Sequence, residues 1–236
     1  MVYVGKLLLN DLKNIVRDRF LLYAAVALPL GVVILCRLIL PWLSENMFPL
    51  EPFYPILFML FVILVPLIFG FITAFLIMDE RDENLLTVLR VMPISRSAYL
   101  IYRMFFMIVL SFLYVLFFPA LTGLIDIGIV EYVPIAVLLA LFTPIMALIV
   151  NIFANNKVQA FAIFKLLGGV FFLPLFSFYV AGNLKYVFGV IPNFWTFMAL
   201  DTVLTTGSND YVYIGIGVII HLGFIAVLFY LFNKKY

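Results

Sequence analysis

Long apolar runs separated by short polar breaks fill this chain, and the runs set the fold. Six of them, Phe20 to Leu43, Phe53 to Met78, Ala98 to Leu121, Val133 to Phe153, Val158 to Ala181 and Tyr211 to Phe232, reach the ~20 residues that a helix rising ~1.5 Å per residue needs to cross ~30 Å of hydrocarbon. They lack the strict alternation of an outer-membrane barrel strand. The pattern predicts an all-α polytopic membrane protein, a single transmembrane domain over residues 1–236 with six transmembrane helices. An even number of spans puts both termini on one side.

Two segments depart from the apolar background. Ahead of the first span, Val4, Leu8, Leu12, Ile15 and Val16 recur at helical spacing while Lys6, Asn10, Asp11, Lys13, Asn14 and Arg17 take the opposite face. That predicts an interfacial amphipathic helix over Tyr3 to Asp18. Packing of the same helix on the protein itself is the alternative. Between the second and third spans lies the one long charged stretch, Asp79 to Arg103. Its acidic start, Asp79, Glu80, Asp82 and Glu83, suits the positive end of a helix dipole. Leu85, Leu86, Val88, Leu89 and Met92 then form an apolar stripe, Pro93 ends the helix and Ser95 is placed to cap the next. Such a helix in a tight turn outside the lipid can dock a soluble partner; a solvated hairpin that only orients the chain accounts for the same residues.

A third segment, Gly182 to Asp210, carries Tyr186, Phe188, Phe194, Trp195, Phe197 and Met198 around Pro192. It is too apolar for a wet loop and too interrupted for a span, so it predicts short half-helices dipping into the outer leaflet, with an interfacial aromatic belt as the alternative.

Composition agrees with the pattern, at 67% hydrophobic and 11% charged residues. The distribution of charge adds orientation. Lys6, Lys13, Arg17, Arg19, Arg81, Arg90, Arg96, Arg103, Lys157, Lys165, Lys234 and Lys235 share one side of the predicted membrane. Of the 14 basic residues only Arg37 and Lys185 remain for the other, where Glu45, Glu51, Asp126, Glu131, Asp201 and Asp210 gather. By the positive-inside rule the termini and the charged stretch are cytoplasmic in a cell-membrane protein. A net charge of +2 gives no argument for nucleic acid. The first apolar run is too long for a cleavable signal and lacks a small-residue cleavage site, so the first span is expected to stay in place. The lone Cys36 falls in that run and reads as a small buried hydrophobe.

Candidate chemistry is sparse. One histidine without an in-span carboxylate cluster offers neither a nucleophile and base nor a metal site, and no G-x-S-x-G, H-E-x-x-H or G-x-x-x-x-G-K-[ST] occurs. The expectation is a chain with no catalytic residues, no metal and no bound cofactor. His221 lies near the middle of the sixth span, where it either satisfies a neighbouring carbonyl or lines a pathway. Lys165 is near enough to the cytoplasmic end of the fifth span to snorkel. Arg37, toward the outer end of the first span, is placed in depth to pair with Glu45 or Glu51, or to shape an anionic site. Pro29, Pro66, Pro119, Pro144 and Pro174 interrupt five spans, and Gly168 and Gly169 loosen the fifth.

The sequence Glu80-Arg81-Asp82-Glu83-Asn84, the Leu-rich run to Met92 and Pro93-Ile94-Ser95, set between the second and third of six spans, resemble the permease subunits of ABC-2 type exporters over essentially the whole chain. The small drug and antimicrobial export permeases are the nearer ones. Asn84-Leu85 stands where that family usually has Gly-Thr, and Arg103 where a Lys commonly opens the third span. The resemblance implies that 79–95 is a coupling helix fitting a cleft on a separate cytoplasmic ABC ATPase, which holds ATP and Mg. Asp79, Glu80, Arg81, Asp82, Glu83 and Arg90 would make polar contacts to it, Leu86 and Leu89 would fill its groove, and Pro93 and Ser95 would shape the turn. It further implies pairing with a second permease copy or paralogue, and half-helices near Trp195 as a lid over the exit. Spans rich in Phe, Leu, Ile and Tyr suit a hydrophobic or amphipathic cargo such as a drug, lipid or membrane-active peptide. An ion-coupled secondary transporter or channel working without an ATPase is the alternative; His221 and Arg37 would then matter most.

Overall fold

A computed structural model of the chain describes Val16, residues 19–82 and residues 96–235. Every regular element among them is helical. Six helices are long and apolar enough to cross a membrane: Tyr23–Asn46, Glu51–Asp82, Ala98–Thr122, Ile129–Phe153, Lys157–Tyr179 and Tyr211–Lys235. The amphipathic helix expected over Tyr3 to Asp18 falls outside the described residues apart from Val16, and so does the charged stretch from Glu83 to Ser95.

The second and fourth spans form the centre, each 72% buried, whereas no other span exceeds 28%. Apolarity cannot sort them this way, because lipid is as apolar as leucine; small residues and a few internal polar ties do. Gly70 supplies the close approach. A Cβ added there would lie 2.6 Å from both the Met146 Cβ and the Thr143 carbonyl oxygen, so the two backbones meet where only hydrogen fits. Two turns further along, Asn151 donates to its own helix at Ala147 (2.9 Å) and across to the Ala74 carbonyl (3.3 Å). The fifth span joins this centre through rings, Phe71 against Phe161 at 5.1 Å and Phe164 at 4.3 Å.

Prolines shape the helices through the hydrogen bond each removes from the carbonyl four residues earlier. In the first span, wide π-type turns cover Tyr23–Ala27 and Leu35–Ile39, just ahead of Pro29 and Pro41. Pro66 leaves Val62 without its usual donor, and the second span breaks at Ile63, flanked by stretched bonds of 3.4 and 3.3 Å. At Pro174 the fifth span tightens into a 3-10 helix over Leu173–Tyr179. Pro119 and Pro144 sit inside unbroken helices.

Between the fifth and sixth spans the chain makes a 3-10 helix, Gly182–Val190, then an α-helix, Asn193–Thr206, ended by Gly207 at φ 72°. Asn193 is fully buried and donates to the Phe171 carbonyl at 2.6 Å. Phe171 lies 14 residues beyond Lys157, about 21 Å along the fifth span at ~1.5 Å per residue. The short helix therefore starts well below the level at which the spans end and climbs back to meet the sixth.

Candidate functional site

Asp79, Glu80 and Arg81 are consecutive on the helix that continues the second span, and successive residues on a helix point ~100° apart. Each finds a different neighbour. Asp79 Oδ1 meets Lys157 Nζ, in the first turn of the fifth span, at 2.5 Å. Glu80 Oε2 meets Arg103 Nη1 of the third span at 2.5 Å, and its other carboxylate oxygen accepts from the Tyr99 hydroxyl. Arg81 Nη2 donates to the Asn155 carbonyl, in the turn between the fourth and fifth spans, at 2.6 Å. Asp82 is exposed and takes a looser contact from Arg81 at 3.5 Å.

These contacts differ in surroundings. Arg103 is 1% exposed and Glu80 14%, and Tyr99, one turn before Arg103 on the same face, lays its ring 5.5 Å from the guanidinium carbon. Removing one partner of such a buried pair costs ~3–5 kcal/mol, because the other charge stays desolvated. Asp79 and Lys157 are 35% and 42% exposed. Water competes there, and an exposed pair contributes only ~0–1 kcal/mol.

The turn gripped by Arg81 is itself braced. Gln159 Oε1 accepts from the Asn155 amide and Asn156 Oδ1 from the Gln159 amide, each at 2.9 Å, so the start of the fifth span is capped from both sides. Lys235, at the end of the sixth span, donates to the Ile152 carbonyl at 2.7 Å and reaches the Asn151 carbonyl at 3.4 Å, satisfying acceptors orphaned at the end of the fourth. At this end of the bundle, contacts radiating from residues 79–81 reach the third and fifth spans and the turn after the fourth, and Lys235 ties in the sixth.

The remaining expected site residues lie elsewhere. Arg37 does not pair with Glu45 or Glu51. Its Nε donates to the Leu121 carbonyl at 2.8 Å and its Nη2 to the Ala120 carbonyl at 2.5 Å, so it caps the end of the third span, while Glu51 accepts from the Ser44 hydroxyl at 2.5 Å. Helix-end carbonyls lack intrahelical donors and compete well for a guanidinium. Gly123, at φ 65°, makes room, since a Cβ there would lie 2.7 Å from Arg37 Nη1. His221 is fully buried in the sixth span, with Nδ1 2.7 Å from the Gly217 carbonyl; Nε2 has no hydrogen-bond partner among the described residues. Trp195 donates from Nε1 to the Gly189 carbonyl at 2.8 Å and packs edge-on against Phe194. On the same short helix, burial pushes the Asp201 carboxyl up and the Lys185 charge opposes it. Lys165 is exposed on the fifth span. Glu83, Leu86, Leu89, Arg90, Pro93 and Ser95 lie outside the described residues. Among the described residues no group of three His, Cys, Asp or Glu side chains is placed to hold a metal ion.

Sequence reasoning missed Tyr99, Lys157 and Asn155, and took Arg103 only as the opening of the third span. The available signal was an arginine eight residues beyond Ser95, inside an apolar run, where a charge needs a partner.

Six apolar helices, two central and four packed around them, tied at one end by side-chain ion pairs, define a multi-pass membrane protein. The chain belongs to the family described as fluoroquinolones export permease protein Rv2686c-like, whose model matches residues 11–229. It is similar to the fluoroquinolones export permease proteins Rv2686c and MT2760 of two Mycobacterium tuberculosis strains, H37Rv and CDC 1551. Each is 29% identical over 234 residues, covering 96% of this chain and 92% of the relative. No solved structure matches.

Proposed function

We propose that this chain is the membrane-spanning subunit of an ATP-driven exporter that moves a hydrophobic or amphipathic cargo out of the cell. Energy comes from a separate cytoplasmic ABC ATPase, which carries the ATP and Mg, and the chain works beside a second permease copy or paralogue. The observation behind this reading is the neck of the charged stretch. The helix of the second span runs through Asp79 to Asp82, and Glu80 draws Arg103 and Tyr99 of the third span against it. Residues 79–82, which lead into the charged stretch, are thus fixed as a stem, as a docking element for a soluble partner requires.

In this reading the termini and the stem are cytoplasmic, and Leu86 and Leu89 meet the ATPase. Asp79, Glu80 and Arg81 already have partners within the chain. They serve the docking surface by holding it in place, and Asp82, Glu83 and Arg90 supply its polar contacts. The relatives' name supports drugs of the fluoroquinolone class as cargo.

Affinity purification of the tagged chain from its native membrane, with an ATPase assay on the eluate, tests the reading. A P-loop ATPase recovered near one-to-one supports it. A homo-oligomer that transports without an ATPase replaces it with an ion-coupled carrier, in which the unpartnered Nε2 of His221 becomes the first group to change.

A further inference from the structure

The two carboxylates at the neck have different surroundings, and burial separates their roles. Glu80 and Arg103 face each other where water is nearly excluded, so the attraction is strong and each loses its compensation if the other leaves. Asp79 and Lys157 meet at the same distance in partial solvent, where water can replace either partner at little cost.

Lys157 adds a bias of its own. It is the first residue of a helix capped by Asn156, and a positive charge in a first turn opposes the helix dipole. The Asp79 carboxylate supplies the anion that this helix end favours, so the fifth span is drawn toward the second when the latch is closed. The Lys157 ammonium also lies 5.6 Å from the centroid of the Phe75 ring, one turn before Asp79 on the second span, and is exposed enough for water to solvate it when the latch opens.

We propose that Glu80, Arg103 and Tyr99 act as positioning residues that keep the end of the second span and the start of the third together as one lever throughout the transport cycle. The Asp79–Lys157 contact is the releasable latch, closed at rest and opened in each cycle to free the fifth span. This rests on the exporter reading above. It assigns to the neck a task which that reading does not require, since an ATPase can dock on the stem whatever the latch does.

The test uses the complex purified with its ATPase and reconstituted in liposomes, with a fluorescent fluoroquinolone, norfloxacin, as the transport probe and ATP hydrolysis measured in parallel. In a Cys36→Ala background, Asp79→Cys/Lys157→Cys and Glu80→Cys/Arg103→Cys pairs are closed with the same short bis-methanethiosulfonate bridge and reopened with dithiothreitol. Bridging 79 to 157 is expected to lower transport at least tenfold, reversibly, with ATP hydrolysis within about threefold of the unbridged pair. Bridging 80 to 103 is expected to leave transport at or above its unbridged level. A merely structural role for both contacts predicts no inhibition by either bridge. That pattern, inhibition by both, or inhibition at 80 and 103 alone overturns the assignment. Should the Glu80→Cys/Arg103→Cys complex fail to assemble, the 79–157 bridge decides, since unchanged transport there removes the releasable latch. An unmodified chain that carries norfloxacin with no ATPase present overturns the exporter reading itself, and the lever with it.

Discussion

Gly70 of the second span and Met146 of the fourth meet with no space for a methyl group between them, a Cβ at Gly70 falling 2.6 Å from that of Met146. Because Thr143 offers a backbone oxygen at the same distance, rotating a side chain cannot relieve the clash. Gly70→Ala is expected to push the two central helices apart and to cost about 1–3 kcal/mol, the usual scale of overpacking. Thermal unfolding in detergent measures it. Gly169→Ala, where the added carbon meets nothing within 4 Å, is the control and should not lower the transition.

The contrast between buried and exposed ion pairs gives a second expectation. Glu80→Ala removes the carboxylate facing the buried Arg103 guanidinium and should cost ~3–5 kcal/mol. Asp79→Ala, one residue away, should cost no more than ~1 kcal/mol. The same unfolding measurement ranks them, and equal losses would contradict the burial difference described for the two pairs.

Arg37 carries a charge to the end of the third span and satisfies two carbonyls there. Arg37→Ala is expected to cost about 1–3 kcal/mol, since hydrogen bonds to charged groups contribute at that level. Arg37→Lys keeps one donor and should recover part of it. Glu45→Gln should leave stability unaltered; a loss comparable with that of Arg37→Ala would mean that the arginine depends on an acidic partner.

For the docking surface, Leu86→Asp/Leu89→Asp is expected to abolish ATPase association and transport while membrane insertion stays normal. Normal co-purification of the double variant would remove those leucines from the contact. Orientation has its own check. With Cys36 replaced, a cysteine at Asn209 should react with an impermeant thiol reagent added outside intact cells, and one at Asn84 should not.

His221 separates the two transport readings. One of its ring nitrogens already has a carbonyl, and the other is buried without a partner among the described residues. His221→Phe is therefore expected to fold normally, and transport should persist in an ATP-driven exporter whose cargo does not use the imidazole. Loss of transport at unchanged expression would make this nitrogen part of the pathway.

The six spans were legible because length and apolarity suffice to identify a helix that lipid can accept, whatever its neighbours. Which spans form the centre was not, because core-facing and lipid-facing positions are both apolar. The assignment depends on a glycine at 70 and an asparagine at 151 that look ordinary in the sequence. At the candidate site, the acidic run from Asp79 was legible as polar and special, but the contacts its first two carboxylates make within the chain were not. Their intrachain partners, Lys157 and Arg103, lie 78 and 23 residues further along the chain, a separation no local pattern bridges. Arg37 shows the same limit: depth along the first span was readable, and the neighbouring helix end that receives the guanidinium was not.

The three directions taken by Asp79, Glu80 and Arg81 make this helix end depend on phase as much as on chemistry. Replacing any one of them disturbs only that residue's own contacts, whereas inserting or deleting a single residue upstream turns the whole set by ~100° and offers each side chain to the wrong neighbour. This stretch should therefore tolerate exchange of residues far better than a change in their number. A chimaera joining the second span of this permease to the stem of another would have to match the two helices in rotation as well as in sequence.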